Sequence, residues 1–231
     1  MPAYGQYCPV ARALEVVGDR WSLLILRELL SGRRRFNEIE RGLPGISRSL
    51  LLQRLLMLER GGVVERRLGP NGRAREYVLT AAGLDLRGLV GTLKDWGARW
   101  AFDDPRPREL DPAWLLSTML HRHRAGAVSR RVVLEFRFRG CRRSHVWLIL
   151  RPRGEGDVCL THPGFDPDLV IAADARAFFK VWLGRATRAE AERRGLLQIS
   201  GAHELRRAFP GWFDWPSLPP AANKTRPGRS L

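Results

Sequence analysis

A change of hydrophobic period near residue 63 constrains the fold of this chain more than any other feature. Before this point, apolar residues recur at helical spacing, and the stretch Arg20 to Leu30 is apolar on most sides, which predicts a buried central helix. After it, Val63 to Leu68 and Arg75 to Leu79 have the pattern of two strands joined by the turn Gly69-Pro70-Asn71-Gly72. Thr80 then predicts the N-cap of a long last helix.

Three further helices precede or follow the central one in the first sixty residues. A first helix is predicted because apolar side chains repeat at i, i+3, i+4 and i+7, namely Val10, Ala13, Leu14 and Val17. Phe36, Ile39 and Leu43 predict a short third helix. Ser47 predicts the N-cap of a fourth, with Leu51, Leu55 and Leu58 as its core positions. The order of helices, hairpin and last helix predicts a mostly-α winged helix-turn-helix over residues 1–102.

The second half of the chain has a different order of elements. Its prolines and charges make residues 103–111 a predicted linker. Residues 112–216 then combine alternating or apolar strand patterns with capped helices, which predicts an α+β domain with an antiparallel sheet. The Pro-, Arg- and Ser-rich residues 217–231 predict a disordered tail.

The formal net charge of +16 indicates a polyanionic partner, most often a nucleic acid. Forty Lys and Arg stand against 24 Asp and Glu, and an Arg guanidinium matches phosphate and guanine with paired hydrogen bonds. The alternative is that a GC-rich genome inflates the Arg content without any role in nucleic-acid binding.

The fourth helix is the predicted recognition helix, whose first turns would enter the major groove. This predicts base contacts from Arg48, Ser49 and Gln53, and a further contact from Leu52 is an option. Arg48 and Gln53 have the side chains that pair with guanine and adenine edges. Arg48 could instead be a solvated residue at the start of a helix, and Arg54 could contact phosphate or pair with an acidic neighbour.

Two basic segments flank this helix. Arg73 and Arg75 lie on the predicted wing, where arginine favours the negative potential of the minor groove, although an ordinary solvated turn is the alternative. Arg33 and Arg35 belong to a run of three arginines before the third helix and are predicted to contact the phosphate backbone, unless the run is only solvated surface.

Many of these residues, in order, resemble the HxlR family of bacterial transcriptional regulators. The likeness covers roughly residues 7–100 and is carried by these motifs: Cys8-Pro9-Val10, Gly18-Asp19-Arg20-Trp21, Leu24 to Leu29, Arg35 to Ile39, Leu43 to Ser47, Gln53-Arg54-Leu55 and Glu76 to Gly83. It implies a MarR-related homodimer on palindromic double-stranded DNA. It also implies that Cys8 matches a cysteine of members that sense oxidants or electrophiles, a small apolar contact being the alternative. Trp96 and Trp100 could pack across a dimer seam, against the second domain or in the core of one chain.

The second half resembles the sterol carrier protein type of domain, an α+β fold with an apolar cavity. Asp168 to Asp174, Ala177 to Phe179, Trp182 to Gly184 and Leu197 to Gly201 carry this likeness. It implies an apolar small-molecule effector, with a pocket expected around Phe136, Trp147, Phe178 and Trp182.

No motif for catalysis, metal binding or a cofactor is recognised, so we expect neither an enzyme nor a cofactor. The three cysteines, Cys8, Cys141 and Cys159, form no Cys-x-x-Cys pair, and the five histidines lack ligand spacing. Without a signal peptide or a long apolar run, we expect a soluble cytoplasmic protein with no membrane contact. The alternative to a regulator is a lipid-binding protein that uses its helix-turn-helix mainly to dimerise.

Overall fold

The computed structural model describes residues 3–69, 75–216 and 218. The tip of the predicted wing, including Arg73, and nearly all of the predicted disordered tail lie outside these residues. The chain divides after Asp95 into two compact units. No helix in the described parts is both long enough and apolar enough to cross a membrane.

The N-terminal unit is a helical bundle with one β-hairpin, which is the winged helix-turn-helix fold predicted from the sequence. Its elements are α1 (Pro9–Val17), α2 (Ser22–Leu30), α3 (Phe36–Arg41), α4 (Arg48–Arg60), β1 (Val64–Leu68), β2 (Arg75–Leu79), α5 (Ala81–Asp85) and α6 (Arg87–Trp96). The long last helix predicted from Thr80 is interrupted at Leu86, so that it forms α5 and α6.

The core of this unit lies between α2, α3 and α4. Ile25 and Leu26 of α2 are fully buried, and so are Leu51, Leu55 and Leu58 of α4. The predicted cap of α4 is confirmed, because Ser47 Oγ accepts a hydrogen bond of 3.3 Å from the backbone N–H of Leu50. This packing fixes α4 by its inner face and leaves the other face for solvent.

The hairpin is tied to the bundle through its second strand. β1 and β2 pair in antiparallel register from Val64 opposite Leu79 to Leu68 opposite Arg75. The backbone N–H of Tyr77 donates a 2.8 Å hydrogen bond to the carbonyl of Arg34, and the Tyr77 ring is buried in the core. The segment before α3 is therefore fixed to the wing.

Two helices of this unit keep apolar side chains in solvent. The four residues predicted to form one face of α1 do not share one environment: Val17 is buried, whereas Val10 and Leu14 are exposed. No residue of α6 is buried, and Leu89 and Leu93 are among the exposed large apolar side chains. These faces have no partner within the described residues that would bury them.

The C-terminal unit contains a five-stranded sheet and several helices. Its elements are a π-helical segment (Gly97–Ala101), a 3₁₀ turn (Pro107–Glu109), α7 (Pro112–His121), β3 (Val132–Arg139), β4 (His145–Leu150), β5 (Gly156–Cys159), β6 (Leu169–Asp174), α8 (Ala175–Trp182), α9 (Arg188–Arg193), β7 (Leu197–Gly201), α10 (His203–Ala208) and a second 3₁₀ turn (Phe209–Trp212). Trp96 and Trp100 are both more than half exposed, so they are not core residues of a single chain.

The sheet is mixed, which corrects the antiparallel sheet expected from the sequence. Its strand order is β5-β4-β3-β6-β7, and β6 runs parallel to β3 while the other neighbours are antiparallel. A parallel connection usually needs a dozen or more residues because the chain must return along the strand. Here β5 ends level with Glu135 and β6 begins level with Leu134, so residues 160–168 need only cross the sheet.

One face of this sheet carries the main core of the unit. Leu134 and Phe136 of β3 and Leu148 of β4 are fully buried there, together with Phe178 and Trp182 of α8. The Phe178 ring contacts those of Phe136 and Phe138, with centroids 5.6 and 5.7 Å apart. Aromatic side chains therefore fill the space between the sheet and α8.

Candidate DNA-reading surface

Helix α4 presents a set of exposed polar side chains opposite its buried leucines. The first turns of the helix expose Arg48, Ser49 and Gln53, three residues predicted to contact bases. Leu52 is 44% exposed between them. Side chains of this kind at the start of a helix can reach the edges of bases in the major groove.

Arg48 is held in place without being buried. Its guanidinium pairs with Glu40, donates a 3.2 Å hydrogen bond from Nη2 to Asn37 Oδ1, and lies 4.8 Å from the centre of the Phe36 ring. The side chain is still 64% exposed. The helix-turn-helix itself therefore supplies an acceptor, an acid and a ring that position Arg48, and a base edge would compete with the partly buried Glu40 and the exposed Asn37.

Arg54 has an internal partner. Its guanidinium pairs with Asp19, and the side chain is only 18% exposed. Of the two roles that the sequence left open, pairing with an acidic neighbour is the one that the structure contains. The pair joins α4 to the segment before α2.

The structure corrects the prediction that Arg33 contacts phosphate. Its side chain is 6% exposed, and Nη1 lies 2.7 Å from Oε2 of Glu28, which is equally buried. Burial lowers the pKa of Arg33, and the charge of Glu28 opposes this effect. Because a run of three arginines has no helical or strand period in itself, the sequence did not show which member points inward.

The neighbouring arginines point to solvent. Arg35 is 60% exposed, with Nε 3.8 Å from Glu76 Oε1, and Arg34 is also exposed. Arg34, the middle member of the run predicted to contact phosphate, is fixed to the wing by the backbone hydrogen bond from Tyr77. Arg75 is exposed at the start of β2, while Arg73 lies in the wing tip outside the described residues.

Asn37 is a polar residue near this surface that sequence reasoning missed. It is exposed on α3 and accepts the hydrogen bond from Arg48. The signal that could have found it is its place in the first turn of the helix before the recognition helix, because the first helix of a helix-turn-helix crosses the DNA backbone.

Cys8 is the N-cap residue of α1 and is partly exposed. The thiols of Cys141 and Cys159 are also free, and burial is the main cause that raises the pKa of each. Over the residues that are described, no group of three His, Cys, Asp or Glu side chains could hold a metal ion.

The four residues expected around an effector pocket do not line one space. Phe136, Phe178 and Trp182 are buried in the core on one face of the sheet. Trp147 lies opposite Glu135 in the β3–β4 ladder, whereas Phe136 lies opposite Val146, so Trp147 is on the other face. There its ring meets His162, with centroids 5.5 Å apart.

Comparison with known proteins places this unit among helix-turn-helix regulators. Over 99 residues the chain is 46% identical to an uncharacterised HTH-type transcriptional regulator of Mycobacterium tuberculosis. The aligned stretch covers 42% of this chain and 60% of that protein. Over 112 residues it is 37% identical to the HTH-type transcriptional regulator YvaP of Bacillus subtilis, covering 48% of this chain and 95% of YvaP. The chain thus spans about three fifths of the mycobacterial relative's length.

Among solved structures, the redox regulator HypR in its oxidised form matches with 33% sequence identity and a TM-score of 0.39. The match covers 42% of this chain and all of HypR. Residues 16–104 match the family model described as the HxlR-like helix-turn-helix. With YvaP covered almost completely at this identity, the chain belongs to the HxlR-like helix-turn-helix family.

Proposed function

We propose that this protein is a sequence-specific, DNA-binding transcriptional regulator that binds a palindromic operator as a homodimer. The observation that carries the proposal is the two-sided construction of α4. Leu51, Leu55 and Leu58 are fully buried, while Arg48, Ser49 and Gln53 are exposed in the first turns of the helix. Arg35 precedes that helix in the sequence and Arg75 follows it, and both are exposed, as phosphate contacts require.

The test is selection of binding sites from random duplexes, followed by titration of the selected duplex and a scrambled duplex at several salt concentrations. We expect a preference of at least ~10³ for the selected duplex, the low end for specific binding. Arg48→Ala should reduce this preference by roughly 1–3 kcal/mol, the value of one paired base contact. Arg60→Ala, at the exposed end of the same helix, is the matched control and should preserve the preference.

Equal binding to both duplexes that vanishes as salt rises would contradict the proposal. Such a result would mean that the +16 charge provides only a non-specific attraction for DNA. It would favour the alternative in which the helix-turn-helix serves mainly for dimerisation.

The exposed apolar faces of α1 and α6 support the homodimer. A second copy is the proposed occupant, because Val10, Leu14, Leu89 and Leu93 would otherwise remain in water on these two helices. Leu89→Glu should shift the mass in multi-angle light scattering from dimer to monomer, whereas Leu68→Glu on the exposed wing strand should not. A wild-type monomer, or a dimer insensitive to Leu89→Glu, would exclude this interface.

We further propose that the C-terminal unit is a ligand-binding domain of the sterol carrier type that accepts an apolar effector. Its helices and mixed sheet are compatible with that type. A cavity of about 410 Å³ beside α8 has a volume within the range of small-molecule sites. Its lining combines Phe102, Pro105, Phe179 and Leu183 with the charged residues Asp103, Asp104, Lys180 and Arg185. Leu183→Trp should weaken binding of a fluorescent fatty acid, with Leu160→Trp, a substitution of an exposed leucine outside this cavity, as the control.

Cys8 is proposed as a thiol that senses oxidants or electrophiles. Its support is partial exposure at the start of α1, because an accessible thiol is open to attack by oxidants and electrophiles. Treatment with diamide should release DNA from the wild type but not from Cys8→Ser, and equal release from both would rule out this role.

A further inference from the structure

A second cavity of the C-terminal unit has an unusual excess of positive charge. It lies against the edge strand β7 and between side chains of α9 and α10, and its volume is about 530 Å³. Leu197 and Ile199 form its apolar floor, and both are buried. The charged part of its lining is almost entirely basic.

The acid in the lining is already neutralised. Glu192 accepts a 2.7 Å hydrogen bond from Nε of Arg188, its i,i+4 neighbour on α9. Three further basic side chains, His203, Arg206 and Arg207, come from α10. Throughout the described part of the chain, neither Arg206 nor Arg207 has a carboxylate within 4.0 Å. The cavity therefore has at least two uncompensated positive charges.

Arg206 also has an unused donor. Its Nε is buried, and among the described residues no acceptor lies within hydrogen-bonding distance of it. A buried donor without a partner is unfavourable because it has lost its hydrogen bond to water, so an acceptor brought by a ligand would be stabilising. Guanidinium groups bind phosphate oxygens with two parallel hydrogen bonds, and two adjacent arginines can bind one or two phosphates.

We propose that this cavity is a phosphate-binding site in which Arg206 and Arg207 hold the phosphate. The phosphate belongs either to a DNA backbone or to a free phosphorylated ligand, two sources with the same chemistry. The charge distribution fits such a role, since residues 96–231 contain 24 Lys and Arg against 14 Asp and Glu, a net charge of +10. The remaining +6 of the total +16 belongs to residues 1–95, which include the DNA-reading helix.

The experiment uses the full chain and pyrophosphate as the first probe. Calorimetric titration at constant ionic strength should show saturable binding by the wild type and at least tenfold weaker binding by Arg206→Gln/Arg207→Gln. The matched control is Arg142→Gln/Arg143→Gln, which removes the same charge from two exposed arginines outside the cavity. If the double variant unfolds, Arg207→Gln alone, at an exposed position, replaces it.

The second arm separates the two sources of phosphate. On a non-specific 30-base-pair duplex, two lost phosphate contacts lower the slope of log affinity against log salt by about 1.8. A lower slope for the cavity variant than for the control assigns the site to DNA. An unchanged slope together with lost pyrophosphate binding assigns it to a free phosphorylated ligand.

The proposal fails if the wild type does not bind pyrophosphate and both double variants have the same salt slope. It also fails if the control loses pyrophosphate binding as much as the cavity variant does. Because neither arm needs an operator, these outcomes are independent of whether the protein is a sequence-specific regulator.

Discussion

Arg33 and Glu28 form a buried ion pair, with Nη1 2.7 Å from Oε2 and both side chains less than one tenth exposed. The pair joins the segment before α3 to α2, so its charge stabilises the bundle rather than contacting DNA. Removing one partner of a buried pair leaves an uncompensated charge, at a cost of about 3–5 kcal/mol. Arg33→Met should cost about 3 kcal/mol of unfolding free energy, because Arg27 still donates to Glu28.

Denaturant unfolding measures this cost, and adding Glu28→Gln to the Arg33→Met variant should recover part of it by removing the buried charge. For DNA binding, Arg35→Gln is the comparison, because the guanidinium of Arg35 is exposed and can contact phosphate. Arg35→Gln should lower the salt slope by about 0.9, and the folded Arg33→Met variant should not change it. If Arg33→Met lowered the salt slope and Arg35→Gln did not, the phosphate contact predicted for Arg33 would be supported.

Gly42 is required by the same ion pair. A Cβ on this glycine would lie 2.0 Å from Glu28 Oε2 and 2.1 Å from Arg33 Nη1. Gly42→Ala should therefore destabilise the protein by displacing both charged groups, despite the higher helix propensity of alanine. Gly88→Ala in α6, where a Cβ would meet open space, should instead stabilise it by about 0.5–1 kcal/mol. Thermal unfolding of both variants measures the contrast, and equal shifts would show that Gly42 is not constrained.

The helical order of the N-terminal unit was predictable because its signals are local. Ser47 and Thr80 cap the helices expected of them, and Leu51, Leu55 and Leu58 are buried at their expected spacing. Arg33 was not predictable, since its burial depends on Glu28 of another helix. The sequence also suggested burial for Val10 and Leu14, but a pattern does not say whether the same chain or a second copy covers a face.

The C-terminal sheet shows the same limit on a larger scale. Alternation in β3 predicted a half-buried strand, and a strand is present, but its first five residues are all buried. Its parallel pairing with β6 depends on where β5 stops. Trp147 and Phe136 were grouped as apolar residues of one pocket, but strand register places them on opposite faces. The basic cavity was also invisible, because Arg188 and Arg206 come together only through β7.

Arg48 and Glu40 form an ion pair in the free protein. In the proposed DNA complex, Arg48 would exchange this partner for a base edge, so Glu40 would compete with DNA for its guanidinium. Glu40→Gln removes the competing charge and a negative charge near the phosphates, so operator affinity should rise several-fold. Fluorescence anisotropy with the selected duplex measures this, with Glu59→Gln, which removes the partner of Arg66, as a control. A loss of affinity in Glu40→Gln would show that the pair preorganises Arg48 instead.

His123 should make the stability of the C-terminal unit depend on pH near neutrality. Burial lowers the pKa of His123 below its ordinary value of 6.5, and among the described residues neither buried ring nitrogen has a hydrogen-bond partner. The His123 ring packs against Phe213. Its neighbours in the sequence are Arg122 and Arg124, and Arg124 pairs with Asp214 at 2.6 Å. A proton therefore binds the unfolded chain more readily than the folded one.

The sign of the effect follows from this difference in pKa. Stability is complete above the unfolded value of about 6.5 and falls as the pH drops below it, down to the lower folded pKa. Glu135, whose pKa is lowered mainly by its hydrogen bond from Arg137, adds a separate loss only below its ordinary value of 4.5. Urea unfolding at pH 8, 7, 6 and 5.5 should show a falling midpoint in the wild type and in His203→Gln, an exposed control, but a flatter profile in His123→Phe. The same decline in His123→Phe would assign the dependence to another group.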